Sequence, residues 1–177
     1  MTLDPSPLWT EPQGAGAPVD QLLYRSLSRD GAESALKMSD ILAEARPANA
    51  RNGITGVLTA VNGRFVQIVE GSSAALDGLL AKLLRDPRHS DLVVIERRAS
   101  RSRLFSDWDM VSPRLAPNEL SLLALLLEDE RAGIDAFAGV LSRAVAQQEA
   151  VLEGRCSPRG GAGSWRSTPD RSAESDA

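Results

Sequence analysis

Tyr24 and Gln67 are the residues of this chain whose positions ask for a chemical explanation. Tyr24 lies in the run Gln21-Leu22-Leu23-Tyr24-Arg25-Ser26, and Gln67 in Arg64-Phe65-Val66-Gln67-Ile68-Val69-Glu70-Gly71. Both runs read as β-strands. Alternate strand residues share a face, so Gln67 lies beside Phe65 and Val69, and Tyr24 beside Leu22 and Ser26. An amide on an apolar strand face costs roughly 1–3 kcal/mol if nothing polar meets it, so a polar partner is expected there. Asn49, at the C-terminal end of the first helix, and Trp108 and Met110, alternating on a last strand, are expected to look the same way. A phenol, two amides, an indole and a thioether would then converge between two helices. None is a strong acid or base at neutral pH, since an ordinary Tyr ionises near ~10. The set is poor equipment for hydrolysis, and no catalytic residue is assigned. It suits a flat heteroaromatic ligand with amide-like edges, because Gln and Asn each offer a carbonyl acceptor and an NH2 donor.

The pattern around these residues predicts an α+β domain. A strand at 20–26 precedes a helix at 32–46 with a stripe of Leu36, Met38, Ile41, Leu42 and Ala45, limited by Pro47. Strands at 54–61 and 64–70 flank Asn62-Gly63, a strong hairpin signal because both residues tolerate positive φ. A helix at 73–85 carries Leu76, Leu79, Leu80, Leu83 and Leu84, followed by a strand at 92–95 and an edge strand near 107–112. The order is a ferredoxin-like βαββαβ plus a strand, with two helices on one sheet face. Glu70-Gly71 reads as turn chemistry, with Gly71 permitting a strained backbone before the second helix. Two further helices are predicted at 118–130, with Asn118 as N-cap, and at 133–150, separated at Gly133. The first is apolar nearly all round, so it must bury itself on the free sheet face or on another chain.

Composition excludes several classes. The chain has 177 residues and a formal net charge of −4, which gives no general attraction to nucleic acid or acidic membranes. No apolar run approaches the ~20 residues of a membrane span, and no secretory signal is visible at the N-terminus. A cytoplasmic location is expected. One histidine, His89, and one cysteine, Cys156, rule out a His-rich metal site and an internal disulfide framework; no metal is expected. Residues 1–19 read as a flexible lead-in, and 153–177 as a disordered tail whose one large apolar residue is Trp165.

The chain resembles the BLUF domain, the flavin-binding blue-light sensor, in five stretches that occur in order. They are Tyr24-Arg25-Ser26; Asn49-Ala50-Arg51-Asn52-Gly53-Ile54-Thr55-Gly56; Phe65-Val66-Gln67-Ile68-Val69-Glu70-Gly71; Asp86-Pro87-Arg88-His89-Ser90; and Arg103-Leu104-Phe105-Ser106-Asp107-Trp108-Asp109-Met110. The resemblance implies a photosensor domain over 20–115 and a C-terminal helical extension over 116–152. It implies noncovalent FAD between the two helices, with Tyr24, Asn49, Gln67, Arg88 and His89 as its contacts. It further implies that Tyr24 is the photochemical electron donor, that Gln67 bridges Tyr24 and the flavin, and that Trp108 and Met110 lie on the segment that responds to light. Ala48 departs from the family, many of whose members have Asn or His there. One hydrogen bond to the flavin edge is then missing, or is supplied by water or by Arg88.

In this reading the oxidised phenol of Tyr24 releases its proton to Gln67, whose amide is left rotated or tautomerised; rotation exchanges donor for acceptor. No output enzyme fits in 113–177, so the signal is expected to leave through a downstream protein partner or self-association. The alternative is a light-insensitive ferredoxin-like interaction domain that has lost flavin photochemistry. An acyl-phosphate hydrolase on a similar fold is disfavoured, because no Gly-rich loop cradles phosphate at a helix N-terminus.

Overall fold

The computed structural model describes residues 18–29, 31 and 34–156, the side chains of 154–156 excepted. Residues 1–17 of the expected lead-in, 157–177 of the expected tail and Trp165 lie outside the described residues; Val19 already belongs to the first strand, and 153–156, expected in the tail, continue the last helix. The elements are β1 (Val19–Ser28), α1 (Ala35–Arg51), β2 (Thr55–Val61), β3 (Arg64–Gly71), α2 (Ser73–Leu83), β4 (His89–Ser100), α3 (Pro117–Glu128) and α4 (Ile134–Cys156). The four strands form one antiparallel sheet in the order β2-β3-β1-β4, the ferredoxin-like arrangement. The hairpin between β2 and β3 turns on Asn62 at φ 49° and Gly63 at φ 72°, as the dipeptide predicts.

The sheet has two buried faces. Leu22, Tyr24, Phe65 and Val69 point toward α1 and α2 and pack with Leu42, Leu58, Leu76 and Met110. Leu23, Val57, Val66 and Ile68 point the other way and pack with Leu123 of α3 and with Ile134, Phe137, Leu141 and Val145 of α4. The C-terminal helices therefore cover the free sheet face of their own chain. Each fully buried Leu or Phe contributes roughly 1.5–3 kcal/mol, which is why both faces are closed. Leu122 and Leu125 on α3 remain exposed.

Four expectations need correction. Helix α1 does not stop at Pro47 but runs through it to Arg51. The helix is held from outside on both sides of the proline: Arg46 Nε donates to the Met110 carbonyl at 2.8 Å, and Asn49 Nδ2 to the Asp109 carbonyl at 2.9 Å. The expected strand at 107–112 reduces to a single parallel bridge, Val57 to Val111. Asn118 is not the N-cap of α3. The cap is Ala116, with Pro117 in the first helical position, and Glu119 Oε2 accepts from the Ala116 N–H at 2.7 Å. Gly71 lies within β3 without positive φ. The close approach occurs instead at Gly56, where a Cβ would sit on the Ile68 carbonyl oxygen.

Candidate functional site

The register of β1 against β3 sets Tyr24 directly opposite Gln67. Tyr24 is completely buried, and its hydroxyl donates to Gln67 Oε1. The amide nitrogen of Gln67 in turn donates to Met110 Sδ at 3.3 Å. The polar partner that the sequence demanded for Gln67 is thus supplied from two sides. Burial, reinforced by the negative charge of Asp86, pushes the Tyr24 phenol well above its ordinary pKa, so it is neutral and holds its proton on Oη.

Gln67 forms part of the wall of a cavity of about 580 Å3 between α1 and α2, a volume within the usual range for small-molecule sites. Ala45 and Ala48 on α1 and Ala74, Ala75 and Gly78 on α2 line it. Side chains this small leave a slot where larger ones would bring the helices into contact. Ile41, Ile54, Leu58, Leu79 and Leu83 supply apolar walls, and Asn49 joins Gln67 as a polar group. Tyr24 and Met110 stand behind Gln67 and are not on the wall, so Gln67 is their route to the cavity.

At the rim, Arg88 donates to both carboxylate oxygens of Asp86 and to Glu44 at 2.8 Å, and these bonds raise its pKa further. Asp86 is correspondingly held below the ordinary carboxylate range, chiefly by its hydrogen bond with Arg88. His89 pairs its Nδ1 with Ser26 Oγ at 2.8 Å and packs its ring on Phe65. Burial depresses its pKa, which leaves a neutral imidazole on the cavity wall. Arg51 and Lys82 also line the cavity, and neither is in an ion pair among the described residues.

Trp108 does not join this set. Its ring packs on the opposite face of the sheet, near Phe105, and its Nε1 donates to Glu149 Oε1 of α4 at 3.1 Å. The expected convergence assumed an extended strand, in which Trp108 and Met110 share a side. The chain there is irregular, so residues two apart point to opposite sides. This segment is bonded to the edge of β2, Gly56 N to Trp108 O at 3.0 Å and Leu58 N to Val111 O at 2.9 Å. Sequence reasoning also missed Arg46, Arg51, Lys82 and Glu70. Glu70 was the most findable: a carboxylate at i+3 from Gln67 in a strand otherwise apolar on both faces.

Known proteins match this arrangement. The family pattern of BLUF, described as sensors of blue-light using FAD, matches residues 19–111. The chain belongs to this family of flavin-binding blue-light sensors. The photoactivated adenylate cyclase subunit beta of Euglena gracilis is 38% identical over 80 residues, covering 45% of this chain and 9% of that protein. The dark-state structure of BlrB, a BLUF protein, is 31% identical with a TM-score of 0.58, covering 73% of this chain and 96% of that one. The photo-activated state of BlsA is 25% identical with a TM-score of 0.60, covering 71% and 94%. The chain spans less than a tenth of the curated relatives it matches. Among the described residues, no helix is long and apolar enough to cross a membrane.

Proposed function

We propose that this chain is a blue-light photoreceptor that holds FAD noncovalently in the slot between α1 and α2, with Tyr24 and Gln67 as its photoactive pair. The observation that carries the reading is the buried relay from Tyr24 Oη through Gln67 to Met110 Sδ, with Gln67 alone of the three on the cavity wall. The apolar slot suits a planar ring system, and the amides of Gln67 and Asn49 suit its polar edge. The rim side chains Arg51, Lys82 and Arg88 suit the phosphates, with Arg51 and Lys82 better placed electrostatically because Arg88 is already shared by Glu44 and Asp86. When bound, a flavin supplies blue-light absorption and a strongly oxidising excited state.

The residues supply the rest. Tyr24 is an oxidisable group directly behind Gln67; an electron given up to an excited flavin would make its phenolic proton acidic, and return of the electron and the proton to Tyr24 would leave the Gln67 amide as the only lasting change. That proton has one place to go, Gln67 Oε1, along the existing hydrogen bond. A Gln67 amide that has rotated exchanges its donor and acceptor positions and breaks from Met110 Sδ. Met110 is two residues from Trp108, which is bonded to α4, and Arg114 N donates to Gln148 of the same helix at 2.9 Å. A rearranged amide is thereby in mechanical contact with α4, through which the signal passes to a protein partner or a second copy of the chain. No catalytic step is assigned to the chain itself.

The test is an absorption spectrum of purified protein before and after blue light. A small reversible red shift is expected. Heat denaturation followed by chromatography of the supernatant should yield FAD. A colourless protein, or colour retained by the precipitate, would refute the reading.

A further inference from the structure

The carboxylate of Glu70 is completely buried on the sheet face opposite the cavity, and the photochemical relay does not use it. Its Oε1 accepts from Gln21 Nε2 at 2.7 Å and from the Leu104 N–H at 2.7 Å, and its Oε2 accepts from the Phe105 N–H at 2.8 Å. Gln21 is held in turn by Arg98, whose Nε donates to Gln21 Oε1 at 2.9 Å. The backbone of Glu70 is engaged as well. Arg103 Nη1 donates to the Glu70 carbonyl and to Thr55 Oγ1, each at 2.8 Å, and its Nη2 donates to the Gly53 carbonyl at 2.8 Å. Residues 103–105 are therefore fastened to the C-terminal end of β3 by both the side chain and the main chain of one residue. These residues are the root of the segment that carries Trp108 and Met110.

We propose that Glu70 is a positioning residue for the photochemical switch: it fixes the root of segment 101–111 and so, together with the grip of Arg46 and Asn49 on the Met110 and Asp109 carbonyls, sets where Met110 meets Gln67. The inference rests on the photoreceptor reading above. Its logic is geometric. Gln67 and Glu70 lie on one strand and face opposite sides, so β3 holds the switching amide on one face and the anchor of the segment it contacts on the other. The rest of the segment between root and bridge is irregular; the carbonyls of Trp108, Asp109 and Met110 are held by Gly56 N, Asn49 Nδ2 and Arg46 Nε, and its root is held by Glu70 and Arg103. Buried acceptors bonded to backbone N–H groups are stronger when charged. A neutral amide in their place keeps the shape but turns one NH2 toward donors that need an acceptor. The root then loosens, Met110 is held less firmly on Gln67, and the Gln67 amide turns more freely.

Two variants test this, Glu70→Gln and Arg103→Met. The second removes the other ties of the root and leaves the buried carboxylate in place, so it stays informative if the first folds poorly. In the flavin-free protein, amide hydrogen exchange across 101–111 should rise at least tenfold in either variant, while β1 and β3 keep their protection. In the flavin-bound protein, the red-shifted form should return to the dark spectrum at least threefold faster, with flavin retained. Wild-type exchange and wild-type recovery in both variants would overturn the inference and leave the photoreceptor reading standing. Absence of any red shift in the wild-type protein would overturn the reading and the inference with it.

Discussion

Replacing Gln67 by Leu separates the chemical role of the amide from its place in the fold. The two side chains are close in volume, and β3 is paired on both sides, so the strand survives. The Tyr24 hydroxyl is then left without its acceptor in a site with no solvent exposure, at a cost of about 1–3 kcal/mol. Tyr24→Phe leaves Gln67 Oε1 without its donor. Gln67 is 6% exposed and borders the cavity, where water can reach it, so the loss is smaller, about 0.5–1.5 kcal/mol. Removing both partners leaves neither group orphaned. The double variant should therefore be more stable than the two losses predict by about 1–2 kcal/mol, within the usual range for residues in direct contact. Urea denaturation of the four flavin-free proteins measures this term; in thermal melts, each kcal/mol is roughly 4 °C for a domain of this size. The same proteins reconstituted with flavin should be yellow, and all three variants should lack a long-lived red-shifted form. A normal reversible red shift in Gln67→Leu would refute the amide switch. Strict additivity in the stability cycle would refute the hydrogen bond on which it depends.

Other measurements probe the surroundings. Tyr24 is the sole tyrosine of the chain, so phenolate absorbance near 295 nm reports it alone. Its pKa is raised in the folded state, so the stability this brings is present below the unfolded value near ~10 and falls as pH climbs above it. Phenolate should appear only together with unfolding, and a separate titration of the folded protein would contradict the burial. His89 has the opposite shift, a pKa depressed by burial. The unfolded chain then binds the proton first, so stability should drop as pH falls below about 6.5. His89→Phe should flatten that drop between pH 7 and 5.5 in denaturant titrations, and an unchanged slope would place its cause elsewhere. Leu141 of α4 is fully buried in the cluster that α4 forms with the sheet, so Leu141→Ala should cost about 2–5 kcal/mol. Flavin affinity should not change, because the cavity lies across the sheet; a large loss of affinity would show that the two faces are not independent.

The amino-acid sequence by itself determined what local backbone physics controls. Alternation in 20–26 and 64–70 put Tyr24 beside Leu22, and Gln67 beside Phe65 and Val69; the register of β1 against β3 set the two opposite each other. Asn62-Gly63 dictated the hairpin that brings β2 against β3. The Leu stripes gave the helices, and the excess of Leu in 118–150 required a second packed face. The motif set was specific enough to reach the family, because its pieces occur in order along these elements and the segments that join them. What only the tertiary structure decided lies where the path of the chain depends on distant partners. Pro47 is a stop signal in any local account, and α1 passes it because Asn49 and Arg46 grip carbonyls sixty residues or more away. Trp108 and Met110 alternate correctly for a strand, yet the segment forms only one bridge, so the rule that residues two apart share a side does not hold there. Met110 turns to Gln67 and Trp108 to Glu149. Glu70 looked like part of a turn because nothing near it in sequence could satisfy a buried carboxylate; its donors come from Gln21 and from Leu104 and Phe105. Periodicity is written into neighbouring residues, whereas the satisfaction of a buried polar group depends on which remote segments the fold happens to bring beside it.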